Sequence, residues 1–158
     1  MFIVQGFISG LIATIIFDLF NQSLKYAYNI NNPKWFLLGR YFIGWTRGKY
    51  IRDSLEVDDE ENNELIWGYV IHYLIGIIYG LFYVIVNLLF FDYPSLLAAY
   101  FFGFITVFGA WCFLMPFAYN LGFFASKSDQ QLKLLTQNLI GHFVFGTGLF
   151  IGYYISIS

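Results

Sequence analysis

The chain has 158 residues, 59% of them apolar, 23% aromatic and only 11% charged, where soluble domains carry about a quarter charged residues. Twenty Phe and thirteen Tyr are more than a soluble core of one domain can hide, which excludes a soluble globular fold and makes lipid the solvent. The net charge of −2 decides nothing, but the eight cations fall in two segments, Lys25 to Arg52 and Lys127 to Lys133.

The first predicted span covers residues 2–22, close to the ~20 residues a bilayer core demands. It has no basic leader region and no small-residue cleavage site, so it reads as a retained span. Gly6 and Gly10 give it a face that lets another helix approach closely. Thr14, Asp18 and Asn21 form a polar stripe at helical spacing. Asp18 is expected either at the wet end of the span or facing a polar interior, since ionisable groups within spans are functional candidates by default.

The loop 23–63 is too long for a plain connection. Its stretch Pro33–Trp45 is apolar, aromatic and flanked by cations, but too short to span. It is expected as a short interfacial segment, or folded back against the mouth of the bundle. Arg40 within it and Glu64 after it are candidate counter-ion or head-group residues; the plainer reading of Arg40 is a snorkelling side chain. The acidic run Asp58–Glu61 reads as a solvated tip, and Asn62 and Asn63 as caps for the helix that follows.

The second span covers 65–91. Gly68, His72, Gly76 and Gly80 recur at every fourth position, and Gly76 with Gly80 is a small-xxx-small pair suited to close helix contact. After a turn at Phe91–Ser95, with Pro94 or Ser95 opening the next helix, comes an uncharged third span, 96–118, ended or kinked at Met115-Pro116. The loop 119–131, with Ser128 or Asp129 as the next cap, leads to a fourth span, 132–157. That span carries Asn138, His142 and Gly146 on one face, and Gly141, Gly148 and Gly152 on another. Two such faces imply two close neighbours.

These features predict an all-α polytopic membrane protein, a single domain 1–158 built as a four-transmembrane-helix bundle. His72-Tyr73-Leu74-Ile75-Gly76 echoes His142-Phe143-Val144-Phe145-Gly146, and Gly6-Phe7-Ile8-Ser9 echoes Gly103-Phe104-Ile105-Thr106. The echoes suggest a two-hairpin internal repeat, with chance as the competing explanation. Because cytoplasmic loops collect Lys and Arg, 23–63 and 119–131 are expected inside a bacterial inner membrane and both termini outside. On that orientation His72 and His142 start from the same side and reach similar depths at 1.5 Å per residue, with Asp18 somewhat shallower. Asp18, His72, His142 and Asn138 form the candidate intramembrane polar site.

Further residues carry a resemblance. Trp35 with Leu38-Gly39-Arg40, Gly48-Lys49-Tyr50, Glu64-Leu65 with Gly68, and His72-Tyr73 through Gly76 form its first half. Met115, Gly122, Ala125-Ser126-Lys127, and His142 to Gly146 with Gly148-Leu149 form its second. In these the chain resembles the small bacterial integral membrane proteins known as domain of unknown function 2938, over nearly its whole length. It departs from that pattern at Arg52, where His is usual, at Tyr69, where Trp is usual, and near Pro116-Phe117, where Gln-Pro is usual. The resemblance implies the membrane architecture and these residues, and no activity.

Four functions compete. In a small transporter or permease-like protein, His72 and His142 would exchange protons or bind substrate near neutrality, with Asp18 as charge partner. In a structural or interaction protein, the histidines would be interhelical hydrogen-bond glue. In a metal or haem protein, His72 and His142 would be the ligands; no metal or cofactor motif is present, and none is the expectation. In a membrane enzyme on a lipid-like substrate, one histidine would be a general base with Arg40 on a head-group phosphate, though no catalytic motif supports an enzyme. There is no phosphate loop and no basic stripe for nucleic acid. The lone Cys112 forms no internal disulfide. The bilayer is the expected partner, with a homo-oligomer suggested because four spans enclose little volume.

Overall fold

A computed structural model describes residues 1–50, 59–91 and 93–158. Arg52, Asp58 and Asp92, which the sequence reading used, lie outside the described residues. The elements in chain order are α1 (Phe2–Tyr28), α2 (Trp35–Trp45), α3 (Glu64–Phe90), α4 (Leu96–Gly109) continuing as π-helical turns (Ala110–Ala118), a 3-10 turn (Phe123–Ala125) and α5 (Gln131–Ile157). Among the described residues, four stretches are long and apolar enough to cross a membrane: Phe2–Tyr28, Glu64–Phe90, Leu96–Ala118 and Gln131–Ile157. The chain is a multi-pass membrane protein built as a four-helix bundle.

The helix ends follow local chemistry. α1 runs past the predicted limit at residue 22 to Tyr28, where Asn29 adopts a left-handed conformation with φ 53°. The amides of Asn29 and Ile30 then bond back to Lys25 and Leu24 at 3.0 and 3.3 Å. Asn tolerates this conformation because its short polar side chain bonds locally. Lys25 thus sits in the last turn, where the helix dipole favours a cation. Ser95 opens α4 by accepting the Ala98 amide on its Oγ, at 3.2 Å. Ser128 precedes α5, its Oγ accepting the Gln130 amide at 3.2 Å.

Pro116 does not end the third span. The helix widens from Ala110 and runs through Pro116 to Ala118. The Tyr119 amide reaches back five residues to the Leu114 carbonyl at 3.0 Å. A proline has no N–H to place in an α-helical ladder, and a change of helical pitch is one way a chain accommodates it.

The chain divides into two compact units. The first holds Met1–Asn32, Tyr73–Thr106 and Leu139–Ser158; the second holds Pro33–His72 and Val107–Asn138.

In the first unit the glycines set how near the helices come. A Cβ on Gly10 would fall on the Gly76 carbonyl and within 2.6 Å of Ile77 Cα, and one on Gly80 within 2.6 Å of Gly10 Cα. α1 and α3 therefore touch backbone to backbone. α1 meets α5 in the same way, Gly148 against Ala13 Cα (2.6 Å) and Gly152 against Ser9 Cα (2.7 Å). α4 meets α5 through Gly103 on the His142 carbonyl and Gly146 on the Ala99 carbonyl (2.6 Å). Small residues permit this approach, and dispersion with interhelical hydrogen bonds then stabilises it.

Several buried polar side chains of this unit bond to backbone groups. Ser9 Oγ donates across to the Leu149 carbonyl at 2.8 Å, and Thr14 Oγ1 to Gly10 of its own helix at 2.8 Å. Asn87, 1% exposed, donates to the Tyr83 carbonyl at 2.9 Å and accepts the Ser95 amide at 2.9 Å. Tyr83 donates to the Ser95 carbonyl at 3.0 Å. Asn87 and Tyr83 together hold the turn between α3 and α4. Among apolar neighbours each such group would be costly if unpaired.

Candidate functional site

The stripe of every fourth residue on α3 serves two different partners. Gly76 and Gly80 receive α1 in the first unit, as above. Glu64, Gly68 and His72 receive α2 in the second. A Cβ on Gly39 would fall on the Glu64 carbonyl and within 2.7 Å of Gly68 N, while one on Gly68 would fall on the Trp35 carbonyl. α2 is therefore seated directly on the backbone of α3. Its far side meets the π-helical turns through Tyr41 and Phe113, ring centroids 6.3 Å apart.

This seating buries α2 on most sides: Trp35, Leu37, Leu38, Gly39, Arg40, Tyr41 and Gly44 are all buried. Of the two expectations for this segment, folding back onto the bundle describes the contacts. Arg40 is only 3% exposed. A guanidinium so enclosed needs a fixed partner, and Glu64 supplies it as a two-pronged pair, Nε to Oε2 at 2.7 Å and Nη2 to Oε1 at 2.8 Å. Glu64 Oε2 also accepts the Glu61 amide at 2.9 Å. The carboxylate thereby serves both the positive end of α3 and the cation of α2. Glu61 in turn holds Arg47 Nη1 at 2.7 Å, near the exposed end of the network.

One α-helical turn beyond Gly68 on the same stripe, the His72 ring lies flat on the Trp35 indole, centroids 3.9 Å apart and planes 21° from parallel. Trp35 thus joins the stripe at two points, its carbonyl at Gly68 and its ring at His72. The second unit gathers an imidazole, an indole face and a buried ion pair along one edge of α3.

The other predicted residues fall elsewhere. His142 belongs to the first unit, where its Nδ1 is 3.0 Å from Thr106 Oγ1 and the Phe17 ring stands edge-on at 6.1 Å. Asp18 is half-buried on α1 in the first unit, and Asn138 is half-buried on α5 in the second. The two histidines thus lie in different units, each with its own partners. Among the described residues no three His, Cys, Asp or Glu gather as a metal ion would require. Of the site's members, Trp35, Gly39 and Gly68 were not singled out as functional from the residues alone; Gly68 was visible as part of the stripe, and Trp35 and Gly39 only through the family resemblance.

The family model described as Protein of unknown function (DUF2938) matches residues 7–156, and the chain belongs to that family. No curated protein matches the chain, and no solved structure does.

Proposed function

Starting from membership of a family with no assigned activity, we propose that the chain is a small permease-like protein of the bacterial inner membrane that works through the α2–α3 junction. One observation carries this reading: an 11-residue helix, too short to span, is buried and brings Arg40 onto Glu64 and Trp35 onto His72. Non-spanning backbone at membrane depth is tolerated where protein buries it, charges there pair, and transport proteins build their sites from interrupted helices. His72 is the group that binds a proton or substrate, and the ion pair holds α2 in place beside it. The working form is an oligomer, because the backbone contacts of the first unit leave little room between its helices.

His142 has the other role weighed from the sequence. Its bond to Thr106, like that of Ser9 to Leu149, favours interhelical glue, a contribution of about 0.6–2 kcal/mol each in membranes.

The test is proton exchange in sealed vesicles containing a pH-sensitive dye. The purified wild-type protein should dissipate an imposed pH gradient faster than protein-free vesicles. His72→Gln should abolish that difference at normal folded yield, whereas His142→Gln should lower folded yield instead. A wild-type rate equal to that of empty vesicles, or an unchanged rate for His72→Gln, would overturn the reading.

The orientation we propose puts both cation-bearing segments in the cytoplasm and both termini outside it, from the eight cations they hold. A reporter fused after Ser158 should therefore be active only when it functions outside the cytoplasm. Activity of a cytoplasm-dependent reporter at that position would reverse the assignment.

A further inference from the structure

We infer that the turn leaving α2, residues 45–50, is a docking surface for the phosphate head group of an anionic lipid. The sequence Trp45-Thr46-Arg47-Gly48-Lys49-Tyr50 sets two cations between two amphipathic rings. Local geometry gathers them. Gly48 takes φ +73°, and the Lys49 amide bonds back to the Gly44 carbonyl at 2.9 Å while that of Gly48 reaches Trp45 at 3.1 Å. This is the glycine-terminated helix end that reverses the chain. The reversal returns Tyr50 to Trp45, ring centroids 6.2 Å apart.

The resulting surface is open. Trp45 is 36% and Tyr50 60% exposed, the Arg47 side chain is 58% exposed, and among the described residues none lies within 4 Å of where a Cβ on Gly48 would stand. The Glu61 carboxylate engages Arg47 through Nη1 alone, leaving other donors of the guanidinium fork. Among the described residues no carboxylate pairs with Lys49. Lys49 and the remaining Arg47 donors are thus the cationic groups that this turn offers an anion.

The chemistry of the rings selects lipid over a soluble anion. Trp and Tyr are enriched at the membrane–water boundary, with an apolar body in the acyl region and a polar edge at head-group level. Basic side chains held at that level attract anionic lipid. Lys127 lacks this setting: it is tied to Asn120 Oδ1 at 2.9 Å.

The experiment titrates phosphatidylglycerol, phosphatidylcholine or inorganic phosphate into the full-length protein in neutral detergent, and follows thermal stability and bound lipid by native mass spectrometry. Phosphatidylglycerol alone should bind and raise the unfolding temperature, and added salt should weaken it. Arg47→Gln/Lys49→Gln should bind it about tenfold more weakly or worse, as loss of two near-surface cations implies. Lys133→Gln, which removes a cation elsewhere, should bind as wild type. Lys49→Gln alone leaves the Arg47–Glu61 pair intact, and should weaken binding without lowering the lipid-free unfolding temperature. Equal binding of both lipids, a response to inorganic phosphate alone, wild-type binding by the double variant, or equal loss in Lys133→Gln would each overturn the inference.

Discussion

Arg40→Gln should cost the folded protein about 3–5 kcal/mol, the range for removing one partner of a buried pair. The magnitude comes from what is left behind: the side chains of Arg40 and Glu64 are 4% and 13% exposed, so the abandoned carboxylate keeps little water. Glu64→Gln should also destabilise, because it removes the carboxylate charge that both Arg40 bonds engage. Replacing both partners by apolar residues of like size, Arg40→Met with Glu64→Leu, should restore much of the loss. Arg47→Gln provides the contrast. Its pair with Glu61 has one side chain 58% exposed, and exposed pairs contribute about 0–1 kcal/mol. Unfolding by denaturing detergent reads all four. A loss for Arg40→Gln no greater than that for Arg47→Gln would show that the buried pair does not anchor α2.

Gly80→Val should be comparably severe, for a steric reason. The added atoms would meet the Gly10 amide and Gly6 carbonyl, with Gly10 Cα at 2.6 Å. A flexible side chain could yield, but these are backbone atoms of α1, so the helix itself must move. We expect about 3 kcal/mol or more, at or above the top of the usual range for overpacking, with reduced folded yield. Leu88→Val, on the exposed face of the same helix, should stay within about 0.5 kcal/mol. Equal yields for these two variants would mean that α1 and α3 do not depend on their close approach.

The residues themselves carried the spans and their small faces, because composition and spacing report directly on lipid exposure and helix contact. Gly6, Gly10, Gly76, Gly80, Gly146, Gly148 and Gly152 all sit at such approaches. Arg40 and Glu64 were each visible as ionisable groups beside apolar runs, but their pairing was not, since 24 residues of chain separate them. The scarcity of charge was the available signal: two opposite charges entering apolar surroundings tend to do so together. Gly39 and Gly68 as mutual contacts could not be read without knowing that α2 lies on α3. Depth along a helix followed from rise per residue, but azimuth did not, so the Trp35 ring on His72 and the Thr106 hydroxyl at His142 were not legible as partners. Asn87 was overlooked although it is the lone amide in a long apolar run.

α3 is longer than a bilayer core is thick. Its 27 residues extend about 40 Å at 1.5 Å each, against a hydrocarbon thickness of about 30 Å. Between its ends the strongly polar side chains are His72 and Asn87, so little of that length is content in water. A surplus of about 10 Å is the kind that helices accommodate by leaning or by thickening the surrounding lipid. Either response ties the energy of the protein to acyl-chain length. The length of α3 thus couples its packing to the thickness of the lipid around it.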